Sequence, residues 1–169
     1  NGGKDTPYGL GGLPVAATSV PWQAQIFDPS STSNDLSKPQ WRFQHRCGGV
    51  LIEDNCVLTA AHCIDQQKVD SGYKVRLGTR DLAKGDGTTY SIERIVRHSQ
   101  YNADNRDLSK PPPNMYANDI ALIRLVDDGR PGSRDPTMIR PIPLNRQVLP
   151  GGMPVSATGW GVTGTGAAD

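Results

Sequence analysis

Cys47-Gly48-Gly49-Val50-Leu51-Ile52 and Val57-Leu58-Thr59-Ala60-Ala61-His62-Cys63, separated by Glu53-Asp54-Asn55-Cys56, carry the reading that decides the fold. Both apolar runs are short and rich in Val, Leu and Ile, which marks them as strands. The only helical hint nearby covers residues 60–64, one turn at most. A histidine beside a cysteine raises the question of a metal. The other histidines, His45 and His98, do not stand at metal-ligand spacing, so the pattern gives zinc no support. By type alone, a lone histidine is ordinarily a satisfied or exposed imidazole, and any special role for His62 must come from its surroundings.

Outward from this core the same texture repeats. Residues 22–27, 46–52, 56–59, 73–78, 90–98, 120–126 and 155–159 read as strands, each bounded by Gly, Pro, Asp or Asn. No convincing amphipathic helix lies between them, so the chain is all-β, a barrel or a sandwich. Residues 1–21 are Gly- and Pro-rich and read as an extended arm. Three polar stretches, 28–40, 103–117 and 127–136, interrupt the strands, the second containing Pro111-Pro112-Pro113. Loops of this length are uncommon in compact domains and often functional.

Composition limits the function classes. The 169 residues carry 18 basic and 17 acidic side chains, and the balanced, scattered charge gives no reason to expect a nucleic-acid partner. No apolar stretch approaches the roughly 18 to 20 residues that span a bilayer, and Asn1-Gly2-Gly3-Lys4-Asp5 has no apolar signal core. The expectation is a soluble chain, with no membrane partner, whose targeting peptide has been removed. With 19 Gly and 14 Pro interleaved among apolar segments, the chain is turn-rich and not of low complexity. Three Cys are too few for a disulfide scaffold, and the odd number leaves at least one unpaired or bridged to another chain.

Six motifs in order, Pro21-Trp22-Gln23, Cys47-Gly48-Gly49, Leu58-Thr59-Ala60-Ala61-His62-Cys63, Val75-Arg76-Leu77-Gly78, Asn118-Asp119-Ile120-Ala121-Leu122-Ile123 and Gly159-Trp160-Gly161, resemble the trypsin-like (chymotrypsin-family) serine peptidases over most of the chain. The resemblance implies a six-stranded antiparallel Greek-key barrel, the first lobe of a two-barrel fold, over residues 22–136. Residues 1–21 become the activation-type arm, and 137–169 the interlobe linker and start of the second lobe. It implies a secreted endopeptidase without a cofactor or metal, with His62 as general base, Asp119 as the carboxylate orienting it, and Cys47–Cys63 as a disulfide. Two Cys bracketing a strand-turn unit also favour a bridge in an oxidising compartment. Cys56 stands where the family places a bulky apolar residue; it is read as a buried unpaired thiol, with a bridge to another chain as the alternative.

The chemistry independently asks for these residue types. A serine hydroxyl attacks a carbonyl only when an imidazole takes its proton, and a carboxylate on the far ring nitrogen holds the tautomer. The family's Gly-Asp-Ser-Gly-Gly nucleophile motif does not occur in this sequence. The expectation is therefore that a separate or missing C-terminal segment carries the serine, the oxyanion hole and the specificity pocket, and joins this chain and a protein or peptide substrate as partners. The family's active members begin at Ile-Val-Gly-Gly; alignment through Trp22 puts Gly9-Leu10-Gly11-Gly12 there, with eight residues ahead of it. A zymogen, an inactive homologue acting as a binding or regulatory protein, and a differently organised pocket all fit that departure. Thr79 and Thr89 replace the carboxylates of calcium-binding members, so no calcium is expected in that loop. Residues 28–40 and 103–117 look expanded relative to short-looped members, which implies a narrower substrate cleft.

Overall fold

Six of the seven expected strands pair into one sheet that closes on itself. The computed structural model describes residues 13–35, 37–103, 117–126 and 134–161. The strands are β1 (Gln23–Phe27), β2 (His45–Glu53), β3 (Cys56–Thr59), β4 (Lys74–Leu77), β5 (Thr88–Arg97) and β6 (Ala121–Leu125). They run β1-β2-β3-β6-β5-β4 around a closed barrel, every pairing antiparallel. Closure comes from β1 pairing with β4, Ala24 opposite Leu77 and Phe27 opposite Lys74.

The core follows from the two-residue period of a strand. In β6, Ala121, Ile123 and Leu125 are buried while Leu122 and Arg124 turn outward. Ala24, Ile26, Leu51, Val57, Val75, Leu77 and Tyr90 join them inside. Strand β1 is buried along its whole length. Ala24 and Ile26 alternate with Gln23 and Gln25, so the glutamines occupy the other face; there the Thr158 hydroxyl donates to Gln23 Oε1 at 2.7 Å.

The expected strand at residues 155–159 is not formed; these residues join no ladder, and Gly159 lies in a bend. A closed barrel presents no free edge, so an apolar run outside it has no ladder to join. Two short helices escaped the sequence reading: α1 (Trp41–Gln44) and α2 (Gln66–Asp70). The Asp65 carboxylate caps α2 by accepting from Lys68 N at 2.8 Å, and such a cap lets a five-residue polar helix form without an apolar stripe. The hint at residues 60–64 is a 3-10 turn, Ala61–Cys63.

Arg46 holds the start of the polar stretch 28–40, donating to Asp28 Oδ2 at 3.5 Å and Ser31 Oγ at 2.9 Å, and ties it to Phe43 O at 2.6 Å and Tyr73 Oη at 3.2 Å. Most of the other two stretches, residues 104–116 and 127–133, lies outside the described residues, as do residues 1–12 of the arm and 162–169. Thr79 is buried and donates its hydroxyl to Asp86 Oδ1, while Thr89 pairs with Arg76 in the β4–β5 ladder. Further along, the linker returns to the barrel: Arg140 N donates to Pro21 O at 3.0 Å and Ile142 N to Leu51 O at 2.9 Å.

Gly49 lies opposite Ala24, and a Cβ there would stand 2.8 Å from Val57 Cγ1 and 3.1 Å from Leu58 O. Gly49→Ala is expected to destabilise the fold by about 1–3 kcal/mol through overpacking. Gly48→Ala, whose Cβ would make only a 3.5 Å contact with Gln23 Nε2, is the tolerated control. Urea denaturation of the two variants measures the difference.

Candidate active site

The β3–β6 ladder ends where Thr59 pairs with Ala121. Because the strands are antiparallel, the chain leaving β3 and the chain entering β6 lie side by side at that end. His62 is three residues past Thr59, and Asp119 two residues before Ala121. Residues 57 positions apart are thereby neighbours.

Local geometry completes the alignment. Ala60 is extended (φ −78°, ψ 145°), and the 3-10 turn that follows is closed by Cys63 N donating to Ala60 O at 3.1 Å. Ala61 and Cys63 are buried, which turns His62 outward. Cys63 is bridged to Cys47 of β2, with a Cα–Cα distance of 6.0 Å, so the turn is covalently tied to the barrel wall. On the other side, Asn118 adopts φ 57°, a left-handed conformation that asparagine tolerates better than most residues. The bend it makes is tightened by Ile120 N donating to Asn118 O at 2.8 Å.

Asp119 then reaches His62 with both oxygens. Oδ2 stands 2.7 Å from His62 Nδ1, and Oδ1 accepts the His62 backbone N–H at 2.8 Å. An ionised carboxylate only accepts, so Nδ1 carries the hydrogen and the neutral ring keeps its lone pair on Nε2. The His62 side chain is 48% exposed and that of Asp119 15%. This sheltered carboxylate behind an accessible imidazole is the arrangement a general base needs.

Two further groups bear on the same turn. Lys68 of α2 donates from Nζ to the His62 carbonyl at 2.8 Å, and the same ammonium lies 3.4 Å from Asp65 Oδ2. Burial works against the Asp65 charge, but the hydrogen bonds and charge of Lys68, with help from Arg97, outweigh it and hold the carboxyl below its usual range. Sequence reasoning missed both residues. The available signal was an N-cap aspartate ahead of a short polar run, which predicts a helix but not the direction of its lysine.

The remaining titratable candidates lie elsewhere or are chemically spent. Cys47, His62 and Cys63 place potential metal-ligating atoms within 4.8 Å of one another, but the two sulfurs are joined to each other and cannot serve as thiolates. His45 opens β2, with Nδ1 3.4 Å from Gln25 Nε2 and the ring edge-on to Trp160; burial, then the Arg46 charge, lowers its pKa. His98 Nδ1 accepts from Gln100 N at 3.2 Å. Cys56 is an unbridged, half-buried thiol at the far end of β3, in a shallow cleft lined by Glu53, Arg94, Val96, Leu122 and Arg124. Burial, reinforced by the Glu53 charge and opposed by Arg124, pushes its pKa up.

A closed antiparallel barrel that presents a carboxylate-backed histidine on a disulfide-pinned turn has the form of a serine-peptidase lobe. The family model for Trypsin matches residues 10–168, and the chain belongs to that family. It is 37% identical over 123 residues to human chymotrypsin-like elastase family member 1, covering 72% of this chain and 43% of that protein. The cow protein of the same name is 32% identical over 158 residues, covering 92% of this chain and 51% of the relative. Among solved structures it is similar to neuropsin, a serine protease expressed in the limbic system of mouse brain. The TM-score is 0.58 at 30% identity, with 82% of this chain and 49% of neuropsin covered. The chain thus spans about half the length of the relatives it matches.

A raised thiol pKa leaves little thiolate at neutral pH. With the Cys47–Cys63 bridge intact, iodoacetamide is expected to alkylate Cys56 more slowly than free cysteine at pH 7, and its rate is expected to go on rising at pH values where that of free cysteine has levelled off. Peptide mass spectrometry over a time course reads both rates.

Proposed function

We propose that this chain supplies the base and its orienting carboxylate to a serine endopeptidase that cleaves peptide bonds through an acyl-enzyme. The observation that carries the proposal is the two-point grip of Asp119 on His62, on the ring Nδ1 and on the backbone N–H. That grip directs the Nε2 lone pair toward proton abstraction and leaves the carboxylate to stabilise the imidazolium that results.

In this reading a serine hydroxyl passes its proton to His62 Nε2 as its oxygen attacks the scissile carbonyl. The imidazolium returns that proton to the leaving amine, and water then releases the acyl group by the reverse sequence. The serine, the oxyanion-hole amides and the specificity pocket belong to polypeptide beyond this chain. Two observations support that division: the chain spans about half the length of its relatives, and Leu144, Val148, Leu149, Met153 and Val155 are all at least half exposed along the linker. Exposed apolar side chains gathered along one segment support the reading that further polypeptide packs there. The Cys47–Cys63 bridge supports an oxidising, extracellular setting. No helix among the described residues is long and apolar enough to cross a membrane.

A second reading, an inactive homologue serving as a binding or regulatory protein, is favoured by Gly9-Leu10-Gly11-Gly12 in the place of Ile-Val-Gly-Gly. The same departure accommodates an uncleaved zymogen. Full-length protein, before and after limited proteolysis near residue 9, is to be treated with a fluorophosphonate probe. Covalent labelling together with peptide turnover is the expected result; labelling only after cleavage identifies a zymogen, and none in either state identifies the inactive homologue. In labelled material Asp119→Asn is expected to lower kcat about 10^4-fold, because the imidazole then loses its tautomer.

A further inference from the structure

Asp119 controls only one end of His62. It takes the N–H and the ring, which leaves the peptide group on the carbonyl side to be held by something else. The chain turns extended at Ile64 (φ −143°, ψ 136°), so the 3-10 turn does not run on into a helix whose N–H groups could take the His62 carbonyl. Lys68 Nζ takes it, at 2.8 Å.

Lys68 is itself engaged at both ends by Asp65. Asp65 binds its backbone N–H through Oδ1 at 2.8 Å and approaches its ammonium through Oδ2 at 3.4 Å. The helical turn between them brings a side chain six residues downstream back over the histidine. A continuous polar path results: Asp65 to Lys68, Lys68 to the His62 carbonyl, and the His62 N–H and ring to Asp119.

We propose that Lys68 is a positioning residue for His62, clamping its carbonyl while Asp119 clamps its N–H and ring, with Asp65 holding the lysine in place. With both flanking peptide groups held, the Cα–Cβ direction is set and only the two side-chain torsions remain, which the Nδ1–Oδ2 bond then selects. This matters for a base that must keep Nε2 aimed at a hydroxyl while the ring acquires charge, since a displacement of about 1 Å can cost about 10^2-fold in rate. The Asp65 carboxylate lies beside the Lys68 ammonium, so the clamp places little net charge next to the imidazolium. The role rests on the peptidase reading above, and the test separates the two.

In the full-length protein, Lys68→Met keeps the aliphatic stem and removes the donor. It is expected to lower kcat about tenfold with KM changed less than twofold, while Lys68→Arg, which retains a donor, recovers most of the loss. Nuclear magnetic resonance of the same proteins follows the His62 Nδ1 proton. In Lys68→Met that proton is expected to exchange with solvent several times faster; in Lys68→Arg it stays close to wild type. Should Lys68→Met fail to fold, Asp65→Asn keeps a helix cap, removes the carboxylate that aims the lysine, and is expected to give the same changes at smaller size. Folded Lys68→Met with unaltered kcat and Nδ1 proton exchange overturns the proposal, as does a loss of kcat that merely follows the folded fraction. If the protein takes no fluorophosphonate, the peptidase reading fails, and the Nδ1 proton exchange still decides whether Lys68 positions His62.

Discussion

The antiparallel pairing of β3 with β6 is the constraint on which the site depends. Thr59 opposite Ala121 puts two chain ends side by side, one running out to His62 and the other coming in from Asp119. A two-residue slip of this register would move the ends apart by about 7 Å along the strand. A one-residue slip would turn Ile123 and Leu125 out of the core and is opposed by their burial. Packing inside the barrel therefore sets the registration of the His62–Asp119 pair outside it.

That registration reaches the imidazole through several tethers of different kinds. The disulfide closes a loop across a 16-residue separation, for which the chain-entropy account gives a stabilisation of about 3 kcal/mol. The Asp119 carboxylate makes two short hydrogen bonds, and the Lys68 ammonium makes a third on the other side of the residue. A covalent tether locates the turn; only the hydrogen bonds orient the ring. The half-buried Cys56 lies at the other end of β3, so its chemistry is kept apart from the bridged pair.

Strand β1 shows how the barrel is tied to the chain that follows. Its inner face supplies Ala24 and Ile26 to the core, while on the outer side its Gln23 meets Thr158, and His45 of the paired strand β2 meets Trp160. The Trp160 indole also donates to Arg80 O at 2.8 Å, so one side chain near the end of the described structure touches two separate parts of the barrel. The buried Gln23 amide exchanges water for protein partners, accepting from Thr158 of the returning linker and donating to Gly49 O of β2, while Gln25 Nε2 meets His45 Nδ1 of β2.

Much of this was legible from residues alone. Alternating Val, Ile and Leu with polar neighbours located six strands to within two residues, because the two-residue side-chain period is a local property. The motif around His62 and the Asn118-Asp119 pair named the site residues, since a resemblance spread over six ordered motifs does not depend on knowing any contact. Other features could not be read locally. Residues 155–159 have the composition of a strand but no edge to pair with, and pairing is a property of the whole sheet. Lys68 looks like any solvated lysine until the Asp65 cap turns its helix toward the His62 carbonyl. Sequence by itself thus determined the all-β class and singled out His62 and Asp119 as the candidate pair, which follow from local patterns. Tertiary structure alone decided the closure, the register that brings residues 62 and 119 together, and the clamp from Lys68, because each needs chain segments distant in sequence to meet at hydrogen-bond range.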